Sequence, residues 1–503
     1  MKVSVKLRVG ESETLLKEKA KKELKQDFKY LRIVKKSLDA RNKGDVFFLY
    51  NLELSNQPFI EEQEEIKEYS YPTKPIVIVG FGPSGIFSAL RLSRAGFKVI
   101  VVERGSDVDR RKLKTDLFFN TKALDTECNI QFGEGGAGTF SDGKLNTGVK
   151  GIYKDYILNE FVKHGAPLEI KYLSKPHIGS DILPKVVKSM REEIISLGGE
   201  VLFDTLFTDF TVKNGKIESI TVKNNGKERV IDCEKVILAI GHSSRDTYKM
   251  LYNKGVFMEE KETSIGFRVE HLQTDINKSQ FGKEIGITAD YKTVTNVNGR
   301  GVFSFCMCPG GVVVPAMSEE NTVVTNGMSE FARDKINANS AIICQIRKGE
   351  FYNGILESLD YFSSLEQKAF CFGGGDYSAP VQNVEDFIKD KKSTSIYSVK
   401  PTYAIGVKPT SLNGLLPDIV TNSIRSGLVE MGKKINCFSR SGILTGVETR
   451  TSSPVRIVRN ENLSSVSLTN LYPVGEVGYA GGITSSAMDG IKVAEKIKEL
   501  YQK

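Results

Sequence analysis

The segment that most constrains this chain is PIVIVGFGPSGIFSALRLSRAGFKVIVVERG, residues 75–105. Ile76–Val79 is apolar throughout, which predicts a short strand buried on both faces. Gly80, Gly82 and Gly85 then fall at the spacing of a tight strand-to-helix turn, with Pro83 and Ser84 inside it. Pro83 to Arg94 reads as a helix, Gly96 stops it, and Lys98–Val102 reads as a second apolar strand ending at Glu103. This is a complete βαβ unit, and such a unit is built to hold a dinucleotide. Gly80 permits the turn, Gly82 lets backbone amides approach a pyrophosphate, and Gly85 lets helix and strand pack closely. The helix N-terminus offers free N–H donors, and Glu103 is placed to accept from ribose hydroxyls. The alternative is an ordinary glycine-rich turn.

A nicotinamide dehydrogenase would continue in alternating βαβ units for about another hundred residues, and this chain does not. A charged helical segment follows Glu103, and then GEGGAGTFSDGKL at 133–145, with no buried strand before its glycines. Such a loop suits backbone contact along an extended cofactor. Glu200–Phe210, Lys216–Asn224 and Val230–Ala239 read as strands separated by NG and NNG turns, the last running into AIGHSSRD at 239–246. Near the C-terminus a strand at Leu471–Val474 meets a Gly-rich turn, 475–482, and a helix beginning ITSSAMDGI. This combination resembles the FAD-binding two-dinucleotide-domain flavoproteins.

The resemblance narrows with FCMCPGG at 305–311, KPTYAIGV at 400–407, LNGLLP at 412–417, GVETRTSSPVRI at 446–457 and YPVGEVGYAGGITSSAMDGI at 472–491. Together these look like a bacterial family of uncharacterised FAD-dependent dehydrogenases with an N-terminal α+β module, whose kind of motif KKSLDAR at 35–41 matches. The likeness runs nearly end to end. It implies an α/β architecture: a Rossmann-like FAD-binding domain of glutathione-reductase type, an inserted α+β cap or substrate domain, and the small module. The expected boundaries are 1–70 for the module, 71–250 plus 455–503 for FAD binding, and 251–454 for the cap. The expected cofactor-binding residues begin with Gly80, Gly82, Pro83, Ser84, Gly85, Glu103 and Arg104 around the first turn, and Arg111 on the next helix. They continue with Gly136, Gly138, Thr139, Ser141, Lys144 and Leu145 in the glycine-rich loop, then Phe207, Ala239 and Gly241. Gly475, Glu476, Gly481, Gly482 and Ile483 complete the set, although many relatives carry Asp where Glu476 stands. The helix after Gly482 would point its N-terminus at the flavin pyrimidine, where its dipole favours negative charge on a reduced flavin.

Candidate catalytic residues are His242, Arg268, His271, Cys306, Cys308 and Arg450. In IGFRVEH, period two puts Arg268 and Glu270 on one face and His271 on the other. Arg268 is either an anion clamp or half of an Arg–Glu pair on a solvated strand edge, and His271 a general acid. Cys306 and Cys308 would share a strand face. They read as small polarizable residues lining a flavin pocket, as a redox-active dithiol, or as a metal site. The two-residue spacing strains a disulfide ring, and no histidine lies near for a metal, so no metal site is expected. Glu448 and Arg450 would share a face, as a buried ion pair locking cap to FAD domain or with Arg450 capturing a substrate anion. His242 shapes its turn or works near the cofactor. Tyr403 and Lys408 are weaker candidates.

Composition adds limits. The net charge is +8, but residues 1–50 hold 14 Lys/Arg against 7 Asp/Glu. The excess therefore belongs to the module, and an acidic stretch at 61–68 reads as its linker. Aromatic residues are not interleaved with Lys/Arg as in an RNA-binding sheet, so nucleic acid is not an expected partner. No run approaches the roughly 18 apolar residues of a bilayer span. The N-terminus lacks a signal core, and seven scattered cysteines make no disulfide framework, so a cytoplasmic protein is expected. The expected activity is hydride transfer between FAD and a small organic substrate. NAD(P)H would be an external donor visiting the same flavin face, because no second nicotinamide-binding unit is visible. The rival readings are a flavin monooxygenase, and a non-catalytic flavoprotein that binds RNA or a partner through the basic module. No oligomeric state is read from the sequence.

Overall fold

The computed structural model describes residues 1–60, 67–146, 148 and 151–503. The acidic stretch read as a linker falls largely on 61–66, outside the described residues.

Lys2–Arg8 (β1), Leu15–Leu24 (α1), Tyr30–Asp39 (β2) and Phe47–Ser55 (β3) form the N-terminal module. Its antiparallel sheet has the order β1-β3-β2. Leu16 and Ala20 of α1 join Val5, Leu7, Leu52 and Leu54 in a separate small core. The module docks by backbone pairing, with Lys36 N donating to Tyr172 O at 2.7 Å and Ser174 N to Lys36 O at 2.9 Å.

The next unit runs Ile76–Val79 (β4), Pro83–Arg94 (α2), Val99–Val102 (β5), Val108–Thr121 (α3), Tyr153–Lys163 (α4), Leu183–Ser196 (α5), Glu200–Leu202 (β6), Thr205–Lys213 (β7), Lys216–Asn224 (β8), Lys227–Asp232 (β9), Lys235–Leu238 (β10) and Arg245–Asn253 (α6). A long excursion follows. It comprises Met258–Glu260 (β11), Thr263–Leu272 (β12), Gln273–Phe281 (α7), Val294–Val297 (β13), Arg300–Cys308 (β14), Val312–Pro315 (β15), Thr325–Met328 (β16), Asn337–Ile346 (β17), Ile355–Gly373 (α8), Ala379–Asn383 (β18), Val384–Ile388 (α9), Val407–Pro409 (β19), Asp418–Gly432 (α10), Cys437–Arg440 (α11), Ile443–Glu448 (β20) and Val455–Ile457 (β21). Leu471–Pro473 (β22) and Ile483–Glu499 (α12) then return to the first sheet.

That first sheet is parallel, in the order β22-β10-β4-β5-β6. Its strands alternate between two apolar faces. Ile76, Ile78, Val99 and Val101 pack with α2, α5 and α12, while Val77, Val79, Ile100 and Val102 pack under the β7-β8-β9 meander. Burial on both faces explains why these strands are continuously apolar. Two stretches read as single strands are each divided. β6 and β7 separate at Asp204, which has φ +50°, and β9 and β10 separate around Cys233. In both cases the chain moves between the parallel sheet and the meander, so one apolar run serves two sheets.

The excursion builds a seven-stranded mixed sheet, β13-β14-β17-β12-β20-β18-β19. β12 lies at its centre between β17 and β20, and Thr263 to His271 are all buried. The solvated edge read from IGFRVEH is thus corrected: its alternation sorts polar from apolar contacts within the interior. Among the described residues no helix is long and apolar enough to cross a membrane.

Candidate cofactor cleft

A cleft of about 240 Å³ runs from the β4–α2 turn to the large sheet. Gly80, Gly82, Pro83, Ser84, Glu103 and Arg104 line one end. Gly80 has φ +98°, and a Cβ there would lie 2.3 Å from Ala239 O; one on Gly85 would lie 2.1 Å from Gly80 O. Only glycines bring the turn this close to the end of β10. Gly136, Gly138, Ser141 and Lys144 bring the glycine-rich loop to the same cleft, and Phe207, Ala239, Gly241 and His242 form its floor. Gly482 and Ile483 arrive from the start of α12, with Glu476 beside them.

Two helices therefore begin at one cleft, α2 after Gly82 and α12 after Gly482. Neither has a side-chain cap. Uncapped N-termini present backbone N–H donors and positive dipole ends to whatever occupies the cleft. Glu103, at the end of β5, is buried and accepts from Phe81 N at 2.8 Å, Gly105 N at 3.0 Å and Gly133 N at 2.9 Å. It thereby joins the β4–α2 turn to the glycine-rich loop. Arg104 is held by Glu127 and Asp246, with its guanidinium over the Phe132 ring.

The opposite end is more polar: Asp142, Lys144, Cys306, Asn326, Glu448, Arg450 and Thr451 line it with Phe305. Glu448 is buried, its carboxylate 3.2 Å from Arg268 Nη1 and accepting from Thr325 Oγ1 at 3.2 Å. Burial pushes its carboxyl up to about 7, outweighing the Arg268 guanidinium. Lys144 Nζ lies 2.7 Å from Asp142, which also pairs with Arg333. His242 Nδ1 shares a 2.8 Å hydrogen bond with Ser243 Oγ, and its Nε2 lies 3.4 Å from Glu476. Burial lowers the His242 imidazole, against the pull of the Glu476 carboxylate. The donor set suits a diphosphate dinucleotide: glycine-lined turns, two helix N-termini and an acid at the second strand's end.

The family model for FAD-dependent protein, C-terminal domain-like, matches residues 262–451, and a domain of unknown function matches residues 1–55. An uncharacterised protein of Clostridium beijerinckii is 48% identical over 503 residues, covering 95% of this chain and 94% of that one. The chain belongs to the FAD-dependent protein family. Solved structures align at low similarity. A geranylgeranyl bacteriochlorophyll reductase-like protein of Thermoplasma acidophilum is 11% identical, over 86% of this chain and 79% of that one, with TM-score 0.37. A flavoprotein/dehydrogenase of Cytophaga hutchinsonii is 11% identical, over 86% and 79%, with TM-score 0.38. The glycerol-3-phosphate dehydrogenase of Bacillus halodurans complexed with FAD is 12% identical, over 85% and 64%, with TM-score 0.39.

Within this FAD-dependent chain, several residues expected at the cofactor lie behind the cleft wall. Arg111 is fully buried and donates to the carbonyls of Asn129, Ile130, Glu134 and Gly136, so it shapes the loop. Thr139 donates to Glu134 O, Leu145 O accepts from Thr484 Oγ1 at 2.9 Å, and Gly475 N donates to Asp489. Gly85 and Gly481 are also outside the lining.

The catalytic candidates divide in the same way. His242, Cys306 and Arg450 line the cleft; Arg268, His271 and Cys308 do not. The Arg268 guanidinium is committed to Asn339 Oδ1 at 2.8 Å, Glu448 at 3.2 Å and Cys306 O at 2.7 Å, which leaves the anion clamp without a free fork. Its acidic partner is Glu448 rather than Glu270, which binds Asn337 and Thr402. His271 is enclosed, 4.6 Å from the Phe438 ring centre. Nor do Glu448 and Arg450 pair, because β20 ends at Glu448 and Arg450 turns toward Glu366 at 2.9 Å. Arg245 shares Glu366 at 2.6 Å and Glu319 at 2.7 Å. Burial raises Glu366, but the two guanidiniums outweigh it and hold the carboxyl well below the usual range. Tyr403 is buried with its hydroxyl on Tyr377 O, part of the frame. Asn326 and Gln131 line the cleft unannounced, since no motif marks them, and Phe305 stands in FCMCPGG without having been singled out; Glu448 was legible only as an ion-pair partner.

Proposed function

We propose that the chain is an FAD-dependent oxidoreductase, with a glutathione-reductase-type FAD domain and a cap built from the seven-stranded sheet. It transfers a hydride between the flavin and a small organic substrate held between them. The observation that carries this is the meeting of two uncapped helix N-termini, a buried strand-end acid and a polar pocket in one cleft. The adenosine end belongs at Gly80–Ser84 and Glu103, and the reactive ring at Lys144, Gly482 and Ile483. Bound FAD supplies a two-electron carrier.

The chain's own residues do the rest. α12 directs its dipole at the ring end, favouring negative charge there. Glu448, with its carboxyl near 7, can hold or release a proton at working pH. Lys144 presents a fixed cation, anchored by Asp142. Phe305 and the large sheet border this end. NAD(P)H is the proposed external donor, and a cytoplasmic location fits seven cysteines too scattered for a disulfide framework.

The purified protein is expected to be yellow, or to become so with FAD, showing a flavin band at about 450 nm. Absence of the band after incubation with FAD would overturn the proposal. Gly82→Asp, which sets a carboxylate at the phosphate turn, is expected to abolish FAD retention while leaving the far-UV circular dichroism unchanged.

A further inference from the structure

Cys306 and Cys308 sit where the regular geometry of β14 breaks. Phe305 opposes Ala341 and Cys308 opposes Asn339, so three steps along β14 face two along β17. The extra residue makes a β-bulge, and Cys306 within it has φ +45°, a left-handed conformation unusual for a residue with a Cβ. The consequence is local. The Cys306 carbonyl turns inward, accepting from Arg268 Nη2 at 2.7 Å and from Cys308 Sγ at 3.4 Å. The bulge also breaks the extended strand that would strain a CxC ring. Bulges next to active sites commonly re-aim a side chain.

The surroundings of the two sulfurs are cationic. Arg268 Nη2 lies 3.5 Å from Cys308 Sγ and Lys144 Nζ 3.9 Å from it. Lys144 comes from the glycine-rich loop and Arg268 from the centre of the large sheet. The pair thus sits at the seam where the two units close the cleft. Cys306 lines the cleft and is half-buried, while Cys308 lies fully buried behind it. A hydrogen bond with Cys308 draws the Cys306 thiol well below the ordinary range; burial opposes this, and Lys144 and Arg268 assist it. The same hydrogen bond and burial raise Cys308. The contrast with the rest of the chain is plain: burial pushes Cys233 and Cys437 up to about 12 and Cys344 to about 11, as inert core thiols.

We propose that Cys306 and Cys308 form a redox-active dithiol that exchanges two electrons with the flavin, with Cys306 as the cleft-facing sulfur and Cys308 as its buried partner. This rests on the reading of the cleft as the FAD site. In the oxidising direction a bond forms between Cys306 Sγ and Cys308 Sγ. One sulfur of the pair, as thiolate, gives up its charge, and the other its S–H proton. Bound FAD would supply the acceptor for the two electrons and that proton, so charge and protons balance. The reverse step opens the disulfide and restores thiolate and thiol. Arg268 is a positioning residue, since it holds the Cys306 carbonyl that fixes the bulge.

The test is anaerobic dithionite titration of air-equilibrated holoprotein, in a Cys371→Ser background that removes the exposed thiol. The native pair is expected to take up two electrons per flavin beyond the two that flavin itself accepts. Cys306→Ser and Cys308→Ser should take up flavin's two alone. Alkylation followed by mass spectrometry needs no variant. The peptide spanning 305–311 should carry two labels after reduction and none, with two hydrogens lost, after reoxidation. A yellow protein whose two cysteines are both labelled in the oxidised state, with the uptake of flavin alone, would overturn the dithiol while leaving the FAD reading intact. A protein that takes up no flavin would overturn both.

Discussion

At the scale of single residues, two buried titratable groups tie stability to pH in opposite directions. His271 has neither ring nitrogen in hydrogen-bond geometry, and burial drives its imidazole down to about 3, little offset by the Cys437 backbone. The unfolded chain binds a proton near pH 6.5 that the folded chain refuses. Stability is therefore lost as pH falls below about 6.5, by about 1.4 kcal/mol per pH unit until the folded value is reached. His271→Phe keeps the ring contact with Phe438 and removes the titration. Denaturant unfolding at pH 6, 5 and 4 is expected to show a shallower acid loss; an unchanged slope would remove His271 from the account. Glu448 acts from the other side. Its folded carboxyl near 7 favours the protonated form, so stability is lost as pH rises from about 4.3 to about 7, by up to roughly 4 kcal/mol. Measured against Glu448→Gln, the wild type should lose ground between pH 4 and pH 8. Both residues stand in motifs that a reader of the sequence would stop at. Only their enclosure says that one is a packed ring and the other a proton-holding wall of the cleft.

Among elements, the crossing of α2 and α12 sets the cleft, because each helix starts at it. A Cβ on Gly490 would meet Ser84 O at 2.2 Å, and Ser88 Oγ donates to Gly490 O at 3.0 Å. Gly490→Ala would gain about 1 kcal/mol from helix propensity alone. Here the crossing must open instead, at a cost of about 1–3 kcal/mol, and the two N-termini move apart. The expected outcome is lower stability with weaker FAD binding, measured by denaturation and by flavin fluorescence titration. A stabilised variant would show that the helices do not meet this closely. The βαβ unit was legible residue by residue because strand, turn and helix there are set by local pattern and by glycine sterics. The strands around Asp204 and Cys233 were not, since nothing in an apolar run says where the chain leaves one sheet for another.

For the whole molecule, the join between the parallel-sheet unit and the large mixed sheet holds a buried ionic cluster beside its apolar packing. Arg245 on α6 and Arg450 after β20 converge on Glu366 of α8, which is fully buried. Glu366→Ala would leave two guanidiniums in the interior without their carboxylate, costing about 3–5 kcal/mol. Unfolding by urea is expected to separate into two transitions, read by far-UV circular dichroism and flavin fluorescence; a single unshifted transition would exclude this join. The N-terminal module carries its own core and docks through a short backbone pairing at Lys36. The excess positive charge belongs to this module, so net charge says little about the cleft.

What the sequence determined by itself is the glycine turn of the βαβ unit and the family, because spacing within a βαβ unit and contiguous motifs are local properties carried by neighbouring residues. The tertiary structure alone decided which polar side chains reach the cleft. Arg268 and His271 were drawn inside because their strand became the centre of a sheet. Arg450 found Glu366 across 84 positions of sequence, and Glu448, Asn326 and Lys144 came to line one cleft with Cys306 from separate parts of the chain. Such meetings depend on long-range packing, where burial and the choice of counter-charge are fixed together, and no local pattern encodes them.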